Sequence, residues 1–190
     1  MSTKKHARLH ALGRRAHLGV LIAIGLSGCV QRPDGGRRAS SGDSQPTSGI
    51  ADSLPIRRFE ESYAAIYRYT SGVRDSTFTV IRDGVRWEEM WRRLSAQHGP
   101  PRPPPPIDFE REMALVATQG VQRSGGYTIA IEAAIDRGSH VEAHVSRHAP
   151  GPSCGVIAML TTPADIAIVP RREVEVRMTA HDHVTDCSAR

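Results

Sequence analysis

The residues with the greatest capacity for chemistry lie late in the chain. His140, His144 and His148 share one parity of a run whose other parity is Val141, Ala143 and Val145, and His181-Asp182-His183 follows near the end. Imidazoles are common zinc ligands, and zinc takes three or four such groups at ~2.0–2.3 Å. A strand rises ~3.3 Å per residue, so histidines four apart on one strand stand ~13 Å apart. No two of the first three can therefore share an ion, and the pattern predicts a solvated polar face. His181 and His183 would need a distant further ligand. No metal site is predicted.

Nucleophilic catalysis has little to build on. Ser124 precedes Gly125-Gly126, but no Gly-x-Ser-x-Gly elbow surrounds it, and the turn leads into a strand rather than a helix. Gly120 to Gly126 lacks the spacing and the following helix of a phosphate loop or dinucleotide fingerprint. No carboxylate pair stands out for acid–base work. The sequence predicts no catalytic residue, no enzyme activity and no cofactor.

The thiols are more informative. Leu26-Ser27-Gly28-Cys29 ends an apolar run, Ala16 to Leu26, that follows Lys4, Lys5, Arg8, Arg14 and Arg15. Basic start, short apolar centre and small residues before a cut site make a secretory signal, and the run is too short to span a bilayer. The tetrapeptide resembles the lipobox of bacterial lipoproteins, in which small residues fit the peptidase and only a thiol can take the lipid. Cys29 is thus the expected lipidation site, residues 1–28 the signal peptide, and Val30 after it implies an outer-membrane destination in the cell envelope. Cys154 and Cys187 remain as an even pair in an oxidising compartment, where a disulfide is the expected state.

Processing also settles the charge. The chain holds 25 Lys and Arg against 20 Asp and Glu, but five of those cations precede residue 29, which leaves 20 against 20. The basic balance belongs to the leader and gives no reason to expect nucleic acid as a partner. Residues 29–54 are rich in Ser, Gly, Pro, Asp and Arg and read as a flexible linker. Residues 55–190 have the length of one domain with its own core.

Within that domain, Met113 to Thr118 and Tyr127 to Asp136 read as a hairpin-like strand pair at the centre of a sheet, with a Gly-Gly-Tyr turn at its rim. Tyr127, Ile129, Ile131, Ala133 and Ile135 alternate onto one face. Ser62 to Tyr69 and Thr77 to Ile81 read as an earlier hairpin. Trp87, Met90, Trp91 and Leu94 form a helical apolar stripe behind an Asp83 N-cap, with Gly99-Pro100 as the stop, and their spacing predicts core packing. The proline run from 100 to 106 reads as a rigid loop. Gly155 to Leu160, Asp165 to Val169 and Glu173 to Thr179 supply further strands. The expected fold is α+β, a mainly antiparallel sheet of about six to seven strands with one early amphipathic helix.

Several of these features together resemble the C-terminal domain of PrcB-type proteins, subunits of bacterial protease complexes. They are the Trp87/Trp91 helix, Asp108-Phe109 before the Met113 strand, Gly120 with Gly125-Gly126-Tyr127, the Pro150-Gly151-Pro152 turn, Cys154, Thr161-Thr162-Pro163, and Ile166 to Pro170. The resemblance implies a non-catalytic lipoprotein that binds or stabilises a secreted or surface protease. It implies contacts through Gly125, Gly126, Tyr127, Thr162 and Pro163. The alternative is an envelope lipoprotein that binds a small ligand or glycan at the rim around Tyr127.

Overall fold

The computed structural model describes residues 52–100 and 102–188. The leader, Cys29 and all but the last three residues of the expected linker lie outside the described residues. Those three belong to the domain. Asp52–Ser53 (β1) pairs with Ile135 and Asp136, and Leu54 is buried, so the boundary falls earlier than composition suggested. The short apolar side chain at 54 rewards ordering that the polar residues beside it cannot.

The fold is α+β, with two helices and seven strands among the described residues. After β1 come α1 (Glu61–Tyr67), β2 (Ser76–Ile81), α2 (Gly84–Leu94), β3 (Glu112–Gln119), β4 (Thr128–Asp136), β5 (His140–Pro150), β6 (Ala164–Pro170) and β7 (Glu175–Thr185). They form two sheets, ordered β1-β4-β5-β7 and β2-β3-β6, and every pairing is antiparallel except β5 with β7.

The layers follow from side-chain parity. Met113, Leu115 and Ala117 of β3 and Ala167 and Val169 of β6 join Ile129, Ile131, Val141, Ala143 and Val145 in a core between the sheets. Ala114 and Val116 of β3, with Ile166 and Ile168 of β6, point the other way and pack under Trp87, Met90, Trp91 and Leu94 of α2. β3 is covered on both faces, which is why it reads as an unbroken apolar run.

Helix α2 begins where the sequence placed it. Asp83 accepts the Arg86 amide at 2.9 Å as N-cap, and Trp87 and Trp91 are buried against the sheet. It ends at Leu94, ahead of Gly99-Pro100, and the Gly72 amide donates to the Leu94 carbonyl at 2.9 Å. Both indoles also donate to the proline loop, Trp87 Nε1 to the Pro105 carbonyl and Trp91 Nε1 to that of Arg102, each at 2.9 Å.

Four expectations are overturned. Residues 61–67 are helical, not a strand: Tyr63 and Tyr67 are four apart, a spacing that suits strand parity and a helix face equally, and both pack edge-on against Trp91. β3 and β4 are not a hairpin, because the turn at 120–127 carries the chain from one sheet to the other. The strict alternation of β4 breaks at Glu132, where the register shifts between Ile131 and Ala133 and Ala134 becomes the buried residue. Gly155 to Leu160 is an exposed loop without strand partners.

Candidate docking rim

Two loops meet at the end of the domain where β4 begins. Gln122 and Thr161 exchange backbone hydrogen bonds at 2.7 and 3.1 Å, and Thr161 Oγ1 donates to the Ser124 carbonyl at 2.9 Å. The Gly125 amide then donates to the Ile157 carbonyl at 2.9 Å. Close approach requires glycine here. A Cβ on Gly125 would lie 2.7 Å from Ile157 Cγ1, and one on Gly126, whose φ is +88°, would lie 3.2 Å from Pro150 and Val156. The Gly-Gly pair is thus the floor on which the 155–160 loop rests.

What this floor presents to solvent is apolar. Val156, Ile157, Met159 and Leu160 are 42%, 63%, 46% and 61% exposed. Cys154 and Cys187 form a disulfide with a Cα–Cα distance of 4.9 Å, which ties the base of the loop to the residues just after β7. The Gly151 amide adds a hydrogen bond to the Thr185 carbonyl at 2.8 Å.

Of the residues singled out in the sequence, Gly125, Gly126 and Tyr127 lie at this rim, with Tyr127 half-buried. Thr162 and Pro163 are buried. Thr162 exchanges backbone hydrogen bonds with Tyr69 and Ser71, its hydroxyl donates to the Ser71 carbonyl, and the Pro163 carbonyl accepts the Gln119 amide at 2.9 Å. They fix the far end of the loop from inside. The exposed side chains at 156–160 were missed because a run of apolar residues reads equally well as a buried strand.

The carboxylates with shifted pKa values are held by neighbours. A two-pronged pair with Arg57, at 2.9 and 2.7 Å, keeps Glu112 below the usual carboxylate range. Hydrogen bonds from Arg172 and Arg137 lower Asp136 and Glu142 in the same way. A cleft of about 250 Å³ beside α1 is lined by Arg58, Tyr67, Ile129 and Asp165 among others. There burial, helped by the Asp165 charge, pushes the Tyr67 hydroxyl up to about 12.

The family model described as PrcB C-terminal matches residues 113–170. No curated protein and no solved structure matches the chain significantly. The PrcB C-terminal segment runs from β3 to the last residue of β6, so it contains both rim loops, Gly125-Gly126, Cys154 and the apolar tip. Trp87 and Trp91, part of the resemblance read from the sequence, lie before its first matched residue.

Proposed function

We propose that this protein is a membrane-tethered docking module of the bacterial envelope that binds a protein partner, a secreted or surface protease, through the Val156–Leu160 loop. The carrying observation is the exposure of four large apolar side chains within five residues, on a loop seated on Gly125 and fastened by a disulfide. An apolar patch held rigid on a polar domain marks an interaction surface. The PrcB C-terminal match over 113–170 supports a protein as the occupant. In this reading Cys29 carries the lipid, the outer membrane is the destination, and the module acts by contact without making or breaking bonds.

The tip lies far along β4 from the point of chain entry. Chain entry at Asp52 lies beside Asp136, at the opposite end of β4 from Gly126. Eight residues of strand separate the two ends by ~26 Å. The apolar tip therefore stands at the far end of β4 from the point where the chain enters the domain.

Crosslinking of the full-length lipoprotein in envelopes, followed by mass spectrometry, tests the reading. Ile157→Asp and Leu160→Asp should abolish crosslinks to the partner while leaving stability within ~0.5 kcal/mol, as for other exposed positions. Undiminished crosslinks from both variants would remove the loop as the docking element. Binding of a Cys29→Ser variant to lipid vesicles, lost in Ile157→Asp, would assign the tip to the bilayer instead.

A further inference from the structure

The cleft of about 250 Å³ beside α1 lies between two strand edges whose backbone groups are not all used. Residues of an antiparallel pair alternate between bonding across the pair and pointing away from it. In β4, Ile131 points away from β5: its N–H donates to Asp165 Oδ2 and its carbonyl accepts from Arg58. Ile129, two residues earlier and opposite Arg147 of β5, therefore points the same way. In β6, Ile168 points away from β3, since it exchanges backbone hydrogen bonds with Arg57, and the Ile166 carbonyl accepts from Arg58 at 2.9 Å. Ala164, opposite Thr118 of β3, is next in that series. Ile129 and Ala164 both line the cleft and both are buried, and among the described residues nothing bonds the N–H or the carbonyl of either.

A third group joins them. Tyr67 is only 3% exposed and lines the same cleft, and its hydroxyl makes no hydrogen bond among the described residues. The Asp165, Arg58 and Arg68 charges, all on the cleft wall, act on that hydroxyl, which places it toward the opening. Buried polar groups in native domains have partners, and three that lack one around a single cleft point to a ligand.

We propose that this cleft is a binding site for a short extended segment of polypeptide, held by its main chain against Ile129 and Ala164, with the Tyr67 hydroxyl as a third contact. Main chain is the chemistry that fits. Each open strand residue offers one donor and one acceptor, and a ligand must carry both to satisfy them. A guanidinium or ammonium would leave the two N–H groups bare, and a carboxylate the two carbonyls. Charge gives no preference for an ion, because Arg58 is paired with Asp165 at 2.5 Å and Arg68 with Glu61 at 2.7 Å. Arg58 shows the neighbouring position filled from within: one step along both strands, its guanidinium spans from the Ile131 carbonyl to the Ile166 carbonyl. Ala64 and Ala164 in the walls leave room for small side chains. The site is separate from the Val156–Leu160 loop and does not depend on it.

The test uses the full chain in detergent, read by nuclear magnetic resonance of its backbone amides. Without ligand, the Ile129 and Ala164 amides should exchange with solvent at least ~10-fold faster than those of Ala130 and Asp165, their ladder-bonded neighbours. Blocked tripeptides of alanine, serine or valine, acetylated at one end and amidated at the other, are the probes. At least one should shift both open amides and slow their exchange, and its analogue methylated at every amide nitrogen should do neither. Tyr67→Phe should weaken that tripeptide about fivefold, the scale of one neutral hydrogen bond. Unchanged α2 resonances in the variant separate loss of a contact from loss of the fold. Ile157→Asp should bind the tripeptide as wild type does, which keeps a failure of the apolar loop distinct from a failure of this cleft. Ile129 protected as well as Ala130, no shift at Ile129 with any of the tripeptides, or equal affinity in Tyr67→Phe would overturn the proposal.

Discussion

Asp165 Oδ2, in the sheet beside the helices, accepts the backbone N–H of Ile131, in the outer sheet, at 2.7 Å. The β4 ladder shifts at this point, and Asp165 supplies a partner to the amide beside the bulge. Arg58 completes the arrangement, donating to the same carboxylate oxygen at 2.5 Å and to the Ile131 carbonyl. One side chain from each of two distant segments thus bolts the sheets together at the single irregularity of β4.

Asp165→Ala should therefore destabilise the domain by ~1–3 kcal/mol, the cost of stranding a half-buried amide and its charged neighbour. Urea unfolding at neutral pH measures it. A shift no larger than that of an ordinary surface substitution would show that the bolt contributes nothing to stability.

Tyr67 makes the alkaline limb of stability diagnostic. Its hydroxyl is pushed from 10.0 to about 12 in the folded protein, first by burial and then by the Asp165 charge. A raised folded pKa gives stability that is fully present below pH 10 and lost as pH climbs toward 12. Wild type should lose on the order of 2 kcal/mol more than Tyr67→Phe across that window. Parallel alkaline unfolding curves for the two proteins would contradict the assignment.

Gly72 offers a steric prediction. A Cβ at this position would lie 2.0 Å from the Arg93 carbonyl oxygen and 2.9 Å from Ala96 Cβ, so the amide that caps α2 could not keep its place. Gly72→Ala should lower stability by about 1–3 kcal/mol, as overpacking does elsewhere, read from the guanidinium unfolding midpoint. An unchanged midpoint would mean that the chain at 71–72 moves freely.

Much of the architecture was legible because local rules and burial agreed. The α2 stripe of Trp87, Met90, Trp91 and Leu94, its Asp83 cap, and the Val141/Ala143/Val145 face of β5 are each buried or capped as their spacing demanded. The pairing of Cys154 with Cys187 is the one expected once Cys29 is set aside for a lipid in an oxidising compartment. The Gly-Gly turn was recognisable as a rim, although what it supports was not.

What went unread depends on partners that pattern does not name. A tyrosine pair four residues apart satisfies helix and strand equally, and only the presence of Trp91 beneath it selects the helix. β3 and β4 follow one another across a glycine turn like hairpin partners, yet they lie in different sheets, and β3 has apolar side chains for two interfaces. The chain by itself determined the α2 helix, its cap and the buried stripes of β3 and β5, since these rest on neighbours within a turn or on simple parity, and the cysteine bridge, since two thiols remained to pair. Only the folded domain decided that β7 lies parallel to β5 and sets His183 against His148, and that 156–160 stands in solvent. Both outcomes turn on contacts between segments far apart in sequence, whose register no local periodicity encodes.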